Sequence, residues 1–502
     1  MSKKHHHLIA MDMGIDTHQE PVVYMRNDCH ICRAEGFTAN SRVTIELRGR
    51  QLIATLNVVE QYVLPRNHIG FSKVAAERLG IAYGDSIRVK HGPVLLSLSA
   101  LRKKIYGNEL NEAEIRSIIV DISTHRYSDI EIASFLSACA GHRLSAEEII
   151  FLTRAMVNCG EKLSWQGHEK VFDKHCIGGL PGNRTTPLVV AIVSAAGLII
   201  PKTSSRSITS PAGTADAMET LTRIELGLDE IQKVISHTGA CLVWGGAVNL
   251  SPVDEVLIRV ERALDLDGEG QLIASVLSKK IAAGSTHVLI DIPVGETAKI
   301  RTQADAERLA ALFTEVGSAL GLAVRCVISD GTKPVGSGIG PAEEMRDVLA
   351  VLQNKRSAPK DLRQRALFLA AQLLDFARGK GIDEALSLAT SLLSSGRAWQ
   401  QFQHIIDVQG ERKELPMAKH QDIQYALQSG IVYDIDNRRL SRLAKLAGAP
   451  GEACAGLRLH VNVGNKVEQG QPLFTLFTAS LGERDYALSY YRDNFDMFEI
   501  GD

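Results

Sequence analysis

The alternation of apolar and polar positions is strongest at the start of the chain, up to about residue 93. In "RVTIELRGRQLIATLNVV" two alternating runs are separated by a turn at Gly49, and "LGIAYGDSIRVKHG" is a turn that leads into another such run. Alternation with period two is typical of half-buried strands, and a glycine turn between two runs predicts a hairpin. Residues 1–93 are therefore predicted to form a small β-rich, barrel-like domain.

The spacing of apolar residues becomes helical in residues 94–165, which we predict to be a helical domain. One face collects four isoleucines, Ile115, Ile118, Ile119 and Ile122. Asn111 and Glu114 precede this face in a capping-box pattern, and the same Ser-x-x-Glu device begins at Ser128 and at Ser145. The segment from Asn108 to Asn158 is thus predicted to contain three helices that serve as scaffold.

Residues 166–418 change again, to apolar runs that end in glycine-rich or hydroxyl-rich loops. "LVVAIVSAAGLIIP" and "HVLIDIPVG" are examples, and such runs are typical of buried parallel strands with functional loops at their carboxyl ends. "RLAALFTEVGSALG" predicts a covering helix, and helices dominate again to about Leu393. This range is predicted to be an α/β domain that binds phosphate and nucleoside, with additional helices.

Residues 419–502 are predicted to form a C-terminal α+β lobe. "LHVNVGNKVEQGQPLFTLF" contains strands separated by Gly-Asn and Gln-Gly turns. Its spacing resembles that of biotinyl- or lipoyl-type carriers, but the lysine hairpin that such carriers modify is missing, so we interpret the lobe as structural. The predicted fold class is accordingly multidomain α/β, with an N-terminal barrel-like domain, a helical domain, an α/β domain and this lobe.

Composition narrows the class of partner. A chain of 502 residues is long enough for three or four domains, and its net charge of -2 favours neither nucleic acid nor an anionic membrane as main partner. No apolar run is long enough to span a bilayer, and Asp12 interrupts the apolar start, which argues against a signal peptide. A cytoplasmic location is expected.

The eight cysteines do not suggest a disulfide framework. Cys29 and Cys32, in Cys-His-Ile-Cys, have metal or redox spacing, but no second pair of that spacing follows, so reduced structural thiols are expected and no metal site is predicted. His5, His6 and His7 are interpreted as a solvated terminus rather than a metal-binding tail.

The stretch "KHCIGGLPGNRTTP", from Lys174 to Pro187, combines a cation, glycines and two threonines. Backbone N–H groups of Gly178 and Gly179 allow close approach of an anion, and Thr185 and Thr186 stand at a predicted helix start. The stretch is either an anion-binding loop or a glycine-rich turn with an exposed lysine.

A second stretch, "KTSSRSITSPAGTADAME", surrounds Arg206 with hydroxyls after another apolar run. These hydroxyls belong to Ser204, Ser205, Ser207, Thr209, Ser210 and Thr214. A solvated turn is the alternative, but two cation-bearing loops after consecutive strands indicate one site that holds phosphate from two sides. A third stretch holds Asp265, Asp267, Ser275, Lys279 and Lys299. Its carboxylates are open to interpretation as a general acid, a metal ligand or a helix cap, and the cap is favoured by the residues alone.

Together the three stretches resemble the thymidine phosphorylase family of nucleoside phosphorylases. The family's Lys-His-Ser-x-Gly-Gly loop is matched at Lys174, His175, Cys176, Gly178 and Gly179. Its Ser-x-Arg…Gly-Thr-x-Asp-x-x-Glu signature is matched at Ser204, Arg206, Gly213, Thr214, Asp216 and Glu219. "ASVLSKK", with Ser275 and Lys279, and "DGTKPVGSGIGPAEE" match two further motifs, and the likeness runs from about Gly107 to Ile500.

The resemblance implies a pentosyltransferase that works without a cofactor. Inorganic phosphate attacks C1′ of a nucleoside and releases the free base and a pentose 1-phosphate. The positions that would hold the phosphate are Lys174, Thr186, Ser204 and Thr214, together with Cys176 where the family has a serine. Such positioning supplies a large share of the rate enhancement of an enzyme.

The sequence also departs from the ordinary thymidine enzymes. Ile258 and Glu261 replace the Tyr and Arg that those enzymes place near the base, and Pro181–Asn183 is an insertion. The insertion and the N-terminal β domain resemble the long subgroup that includes the AMP phosphorylases. That likeness implies Asp267 as proton donor to the leaving base, with His175 as the rival acid. The nucleotide-binding positions it implies are Gly179, Ser205, Arg206, Ser207, Ile208, Thr209, Ser210, Thr214, Ser275 and Lys299, and Lys279 is added from the "ASVLSKK" motif.

The same resemblance implies two alternative functions and a homo-oligomeric state. An ordinary thymidine phosphorylase is the alternative function, and a phosphoribosyltransferase of the anthranilate type is a remote one, because it needs an Asp-Glu metal pair. A homodimer or larger homo-oligomer through the helical domain is implied by the resemblance. The apolar residues Ile130, Ile132 and Phe135 on one short helix also favour it.

Overall fold

A computed structural model describes residues 7–17, 19–207, 210–264, 266 and 268–501. The chain divides into two compact units. Unit 1 consists of Met1–Cys159 and Val253–Leu272, and unit 2 of Gly160–Pro252 and Ile273–Asp502. Within the described ranges no helix is long and apolar enough to cross a membrane.

The elements of the first 160 residues alternate short strands with helices before the helical run begins. They are β1 (His7–Asp12), β2 (Val22–Arg26), α1 (His30–Glu35), β3 (Arg42–Leu47), β4 (Arg50–Val59), β5 (His68–Phe71), α2 (Lys73–Leu79), β6 (Ser86–His91), α3 (Ser97–Ile105), α4 (Glu112–Ser123), α5 (Asp129–Cys139) and α6 (Ala146–Asn158).

The elements of the middle of the chain include the strands of two parallel sheets. They are β7 (Phe172–Cys176), α7 (Thr185–Ala195), β8 (Ile200–Ser204), α8 (Thr214–Glu219), α9 (Leu228–Thr238), β9 (Ala240–Trp244), α10 (Pro252–Leu264), α11 (Glu269–Ala282), β10 (His287–Val294), α12 (Gln303–Ala319), β11 (Ala323–Asp330), β12 (Gly338–Ile339), α13 (Pro341–Leu352), α14 (Lys360–Arg378), α15 (Ile382–Ser394) and α16 (Arg397–Gln409).

The remaining elements are mostly strands. They are β13 (His420–Tyr425), β14 (Gly430–Ile435), α17 (Asn437–Leu446), β15 (Gly456–Leu459), β16 (Lys466–Val467), β17 (Pro472–Thr478), α18 (Leu481–Asp493) and β18 (Phe498–Gly501). Two short 3-10 helices cover Gly245–Val248 and Phe495–Met497.

The β-rich start of unit 1 is a closed six-stranded barrel in the order β1-β5-β2-β4-β3-β6. The predicted hairpin is β3–β4, and its turn places Arg48 and Gly49 at positive φ, 49° and 81°. Burial alternates along β1 and β6, and Val43, Ile45 and Leu56 of β3 and β4 are completely buried. The alternation in the sequence therefore agrees with a barrel-like domain.

The helical part of unit 1 begins as the capping signals predict. Both reciprocal hydrogen bonds of the capping box are present at the starts of α4, α5 and α6. The predicted apolar face differs from expectation on α5, because Ile132 and Phe135 are only 2% and 1% exposed and belong to the core. Ile130 is 71% exposed. Of the three residues predicted to favour an interface, only Ile130 is thus available on the surface of the chain.

Unit 2 is built on parallel strands. β11, β10 and β7 form one parallel sheet and β8 and β9 another, and an isolated parallel bridge between Val171 and Ile199 joins β7 to β8. β8, β10 and β11 form where apolar runs in the sequence predicted strands. The run "LVVAIVSAAG" is interpreted as a strand from its apolar character and as a helix from its place after Thr185 and Thr186, and the helix is correct, because the run forms α7. This helix is apolar on every side since its side chains, from Leu188 to Val193, are all completely buried.

The C-terminal lobe consists of two antiparallel sheets with α17 and α18. Their strand orders are β12-β15-β17-β13 and β16-β14-β18. The turn-separated strands predicted in "LHVNVGNKVEQGQPLFTLF" are β15, β16 and β17. Phe474 and Tyr491 lie edge to face in a core of their own, which fits the interpretation of this lobe as structural.

Candidate active site

The two cation-bearing loops begin at the carboxyl ends of neighbouring strands. Lys174, His175 and Cys176 end β7, and Ser204 ends β8. Because the two strands are parallel and Val171 pairs with Ile199, the same offset puts Cys176 level with Ser204. The prediction that both loops belong to one place therefore agrees with the strand order.

A buried carboxylate holds these strand ends together. Asp173 is completely buried and pairs with Lys202 at 3.0 Å and with Lys280 at 2.8 Å. Burial acts to raise the pKa of Asp173, but the two lysines outweigh it and keep the pKa below its usual range. Lys202 also donates to the carbonyl oxygen of Lys174 at 2.8 Å. The network fixes the backbone that carries the candidate phosphate ligands.

Lys174 is buried beneath the glycine loop rather than exposed. Its side chain is 1% exposed and donates to Thr185 Oγ1 at 2.8 Å. Burial, with a smaller contribution from Arg365 and Arg184, lowers the pKa of Lys174 from its usual range. Thr185 and Thr186 form the first turn of α7, as predicted. A buried lysine beside the first turn of a helix is a candidate ligand for an anion there.

Ser204 has the clearest unfilled hydrogen-bonding capacity among the described residues at the site. Its side chain is buried, and its Oγ makes no hydrogen bond to any described group. Buried hydroxyls normally have a partner, because an unmade hydrogen bond leaves the desolvation penalty uncompensated. An oxyanion at the end of β8 is a partner of the right chemistry.

Thr214 is supported by a residue that sequence reasoning did not assign. The guanidinium of Arg184 donates to Thr214 Oγ1 at 2.8 Å, to the carbonyl oxygen of Ala212 at 2.7 Å and to Glu344 at 2.7 Å. Glu344 is 1% exposed, and burial raises its pKa although Arg184 opposes the shift. Arg184 was visible in the motif as a cation, but its partner Glu344 is 160 positions away in the sequence.

Arg206 does not stand free at the centre of its loop. It pairs with Glu219 at 2.5 Å and Glu225 at 3.1 Å, and lies 5.0 Å from the ring centroid of Trp244. The hydrogen bond from Arg206 lowers the pKa of Glu219. This guanidinium therefore anchors the loop through carboxylates, which differs from the predicted anion-binding centre.

The rest of the second loop folds onto the start of α8. Asp216 accepts from the backbone N–H groups of Ser207 and Gly213, at 2.7 and 2.8 Å. A Cβ on Gly213 would approach Ser207 N to 2.7 Å, so only glycine fits there. Ser210 donates to the carbonyl oxygen of Ala212 at 2.9 Å, and Ser205 is exposed. The predicted positions Ile208 and Thr209 lie outside the described residues.

Two further pairs of predicted substrate-binding residues are neighbours in the structure. Gly179 has φ 107°, and a Cβ there would approach the backbone N of Lys299 to 2.8 Å, so the glycine loop and Lys299 are neighbours. Ser275 and Lys279 lie one turn apart on α11, and Lys279 donates to Ser275 Oγ at 2.9 Å. Asp265 and the predicted proton donor Asp267 lie outside the described residues.

His175 is held neutral by its surroundings. Burial is the largest cause and keeps its pKa well below the usual range, and the positive charges of Lys280, Lys202, Lys279 and Lys174 act in the same direction. The neighbouring Cys176 stays a thiol, since burial and then Asp291 raise its pKa to about 12. Its Sγ accepts a hydrogen bond from Asn183 Nδ2 at 3.3 Å. A neutral imidazole donates a hydrogen bond but is a poor source of a full proton at neutral pH.

Three segments of the chain match family descriptions. Residues 98–160 match the helical bundle domain of a glycosyl transferase family, residues 168–399 its a/b domain, and residues 431–497 the pyrimidine nucleoside phosphorylase C-terminal domain.

Curated relatives are similar over almost the whole chain. A Polaromonas protein named "Putative thymidine phosphorylase" is 55% identical over 97% of this chain and 95% of its own. One from Legionella pneumophila with the same name is 51% identical over 100% and 96%. The site is thus that of a pentosyltransferase. Within that class, the chain belongs to the thymidine phosphorylase family of nucleoside phosphorylases.

Solved structures support the fold of the central part. Anthranilate phosphoribosyltransferase from Thermus thermophilus covers 62% of this chain with a TM-score of 0.52 and 19% identity. The enzyme from Saccharomyces cerevisiae, in complex with PRPP and Mg, covers 64% with a TM-score of 0.50 and 14% identity. At these identities the likeness concerns architecture alone.

Proposed function

We propose that this nucleoside phosphorylase cleaves nucleoside 5′-monophosphates, with AMP as the representative substrate, using inorganic phosphate. The observation that carries the proposal is the surplus of positive charge at the ends of β7 and β8. Among the described residues, the cations there are Lys174, Lys202, Lys280, Arg184 and Arg365, with Lys279 nearby, and ion pairs join several of them to Asp173, Asp291 and Glu344. So many cations around two neighbouring strand ends favour the binding of two phosphate groups over one.

The attacking phosphate is assigned to the buried hydroxyls and the lysine. Ser204 supplies a donor without another partner, Lys174 a buried cation, and Thr214 a hydroxyl whose lone pair already accepts from Arg184. Because that lone pair is occupied, the hydrogen of Thr214 is directed away from Arg184 and can be donated to the phosphate. Thr186 and Cys176 complete the set as further donors. Hydrogen bonds from fixed groups need no reorganisation in the transition state.

The 5′-phosphate is assigned to the part of the same site that the two loops form, the glycine loop at Gly179 and the loop after Ser204. Gly179 allows the backbone of Lys299 to come close, and Ser205, Ser207 and Ser210 follow Ser204 on the second loop. Ser275 and Lys279 supply a hydroxyl and a cation from α11. In the reaction, the bond from C1′ to the base nitrogen breaks, a bond from C1′ to a phosphate oxygen forms, and a proton goes to the base.

That proton is assigned to Asp267. Adenine is a poor leaving group unless it is protonated, so a general acid is required. His175 is the rival, but burial and then the charges of the neighbouring lysines lower its pKa and keep its imidazole neutral. An enzyme that uses His175 as acid would need bound phosphate to raise this pKa first.

Thymidine is the second candidate substrate, and the names of the relatives favour it. Against it stand Ile258 and Glu261, at the positions where thymidine enzymes carry a Tyr and an Arg.

The deciding experiment compares kcat/KM for AMP, adenosine and thymidine with saturating phosphate. We expect AMP to be the best substrate, and Asp267→Asn to lose about 10²–10⁴-fold in kcat on AMP with little change in KM. Asp265→Asn is the matched control, two positions away, and should remain active. Preference for thymidine would reject the 5′-monophosphate, and a fully active Asp267→Asn would make His175 the acid to test.

A further inference from the structure

Cys29 and Cys32 face each other on the first turn of α1, in the N-terminal barrel. Cys29 is the residue that begins the helix, with φ −60° and ψ 129°, and its backbone N–H donates to the carbonyl oxygen of Arg26 at 3.0 Å. Cys32 follows three positions later. Side chains at this spacing lie on one face of a helical turn, with Cβ atoms about 5–6 Å apart. In a disulfide the Cβ atoms are about 3.5–4.5 Å apart, so closing the bond requires a small shift of the backbone at Cys29, which lies at the extended N-cap, as well as rotation of the side chains.

The two thiols differ in accessibility. Cys29 is partly exposed, whereas Cys32 is buried, 5% exposed, with its Sγ 3.9 Å from Met25 Sδ. They differ in acidity as well. The interaction with the Cys32 side chain, and then the backbone N–H groups of Cys32 and Ile31, lower the pKa of Cys29, whereas the same interaction and burial raise the pKa of Cys32. An accessible thiolate beside a buried thiol is the arrangement of a dithiol that reacts in two steps.

A metal site does not account for the pair. Among the residues that the structure describes, no group of three or more His, Cys, Asp and Glu side chains is placed to hold a metal ion. Cys32 belongs to the barrel core and Cys29 packs against its edge, but packing does not explain why backbone N–H groups of Cys32 and Ile31 lower the pKa of the partly exposed Cys29.

We propose that Cys29 and Cys32 form a redox-active dithiol that exchanges with low-molecular-weight disulfides such as oxidised glutathione. The Cys29 thiolate attacks one sulfur of the external disulfide, forms a mixed disulfide and releases one thiolate. Cys32 then loses its proton to solvent and attacks Cys29 Sγ, which closes the intramolecular disulfide and releases the second thiolate. The two protein thiols lose two electrons in total, and the external disulfide gains them as two thiols.

The first test uses the unsubstituted full-length protein, so it does not depend on the folding of a variant. Native alkylation with iodoacetamide, followed by peptide mass spectrometry, measures each cysteine separately. We expect Cys29 to react about 10-fold faster than Cys159, another partly exposed thiol, at pH 7. The rate at Cys29 should rise with pH through a midpoint below that of an ordinary thiol, about 8.5. Equal rates at the two cysteines would overturn the proposal.

The second test equilibrates the protein in glutathione buffers that range from fully reduced to fully oxidised, and traps the products with acid. A Cys29–Cys32 disulfide should form with a single midpoint. Cys32→Ser should instead accumulate the mixed disulfide at Cys29, while Cys29→Ser should leave Cys32 unmodified. A dithiol that persists in fully oxidised glutathione, or glutathione bound to Cys159 as readily as to Cys29, would overturn the proposal. Far-ultraviolet circular dichroism of both serine variants checks that the barrel is retained.

Discussion

Single hydroxyl groups carry much of the chemistry proposed here, and their use depends on what already occupies their lone pairs and protons. Thr185 and Thr214 each accept a hydrogen bond from a cation, Lys174 and Arg184 respectively, so their protons point elsewhere. Ser204 has no described partner at all. These three hydroxyls look alike in the sequence, and only their environments show that Ser204 keeps its full hydrogen-bonding capacity while Thr185 and Thr214 each have one lone pair occupied.

The candidate phosphate ligands are tested by removing one group at a time. Ser204→Ala and Lys174→Met should each raise the apparent KM for phosphate. A lost hydrogen bond to a charged group is worth about 1.5–3 kcal/mol, which corresponds to about 10- to 150-fold. Methionine keeps the buried stem of Lys174 packed. Steady-state kinetics with varied phosphate measures the effect, and Ser236→Ala, on an exposed face of α9, is the control. Near-normal phosphate kinetics in both variants would contradict the assignment.

Arg184 is expected to act as a positioning residue through Thr214. Arg184→Gln and Thr214→Ala should each raise the KM for phosphate, by about 2- to 10-fold for a neutral hydrogen bond. The double variant should be little worse than Thr214→Ala, because the arginine has then lost the hydroxyl it orients. Arg346→Gln is the matched control, since Arg346 pairs with the adjacent Glu343 instead. Additive effects would mean that Arg184 binds phosphate directly.

Helices and strands differ in how far local signals determine them. The capping boxes of α4, α5 and α6 satisfy backbone N–H groups within four residues, so the sequence alone marks where these helices begin. In α7 no such contrast exists, because the side chains from Leu188 to Val193 are all apolar and buried. Only Thr185 and Thr186 at its start indicated a helix, and the tertiary environment decided between that helix and a strand.

The stability of the helical domain offers a direct test of these caps. Asn111→Ala removes the side chain that accepts from Glu114 N at 3.0 Å, and should lower the free energy of unfolding by about 1 kcal/mol. Asn108→Ala is the control, because this exposed residue makes only a 3.3 Å hydrogen bond to Lys103 and caps no helix. Urea denaturation followed by circular dichroism measures both. An equal loss in the two variants would show that the cap contributes nothing of its own.

For the molecule as a whole, we expect a homodimer in solution through the helical domain. The surface position of Ile130 agrees with this expectation, since a 71% exposed isoleucine on α5 gains from burial in an interface. Sedimentation equilibrium should give twice the chain mass, and Ile130→Asp should shift the equilibrium toward monomer. Leu386→Asp, on the exposed face of α15, is the control. A monomer at every concentration would refute the expectation.

The sequence by itself determined the class of each region and the family. Alternation identified the barrel strands, capping boxes the helices, and the loops around Lys174 and Ser204 the phosphorylase signature. These signals are local, because strand faces, helix starts and anion-binding turns are each made by residues a few positions apart. The roles predicted for Ser204, Thr186 and Gly179 rest on the family resemblance that these local motifs carry.

Only the tertiary structure decided which charges are available. It paired Arg206 with Glu219 and Glu225, and turned Arg184 into a support for Thr214 through a glutamate 160 residues away. It also buried His175 and placed lysines of its own strand and of two other elements, β8 and α11, around it, and burial and then these charges lower the pKa of the histidine. Ion pairing and burial depend on groups that are distant in the chain. The sequence therefore shows that a residue is charged, but not which group pairs with it.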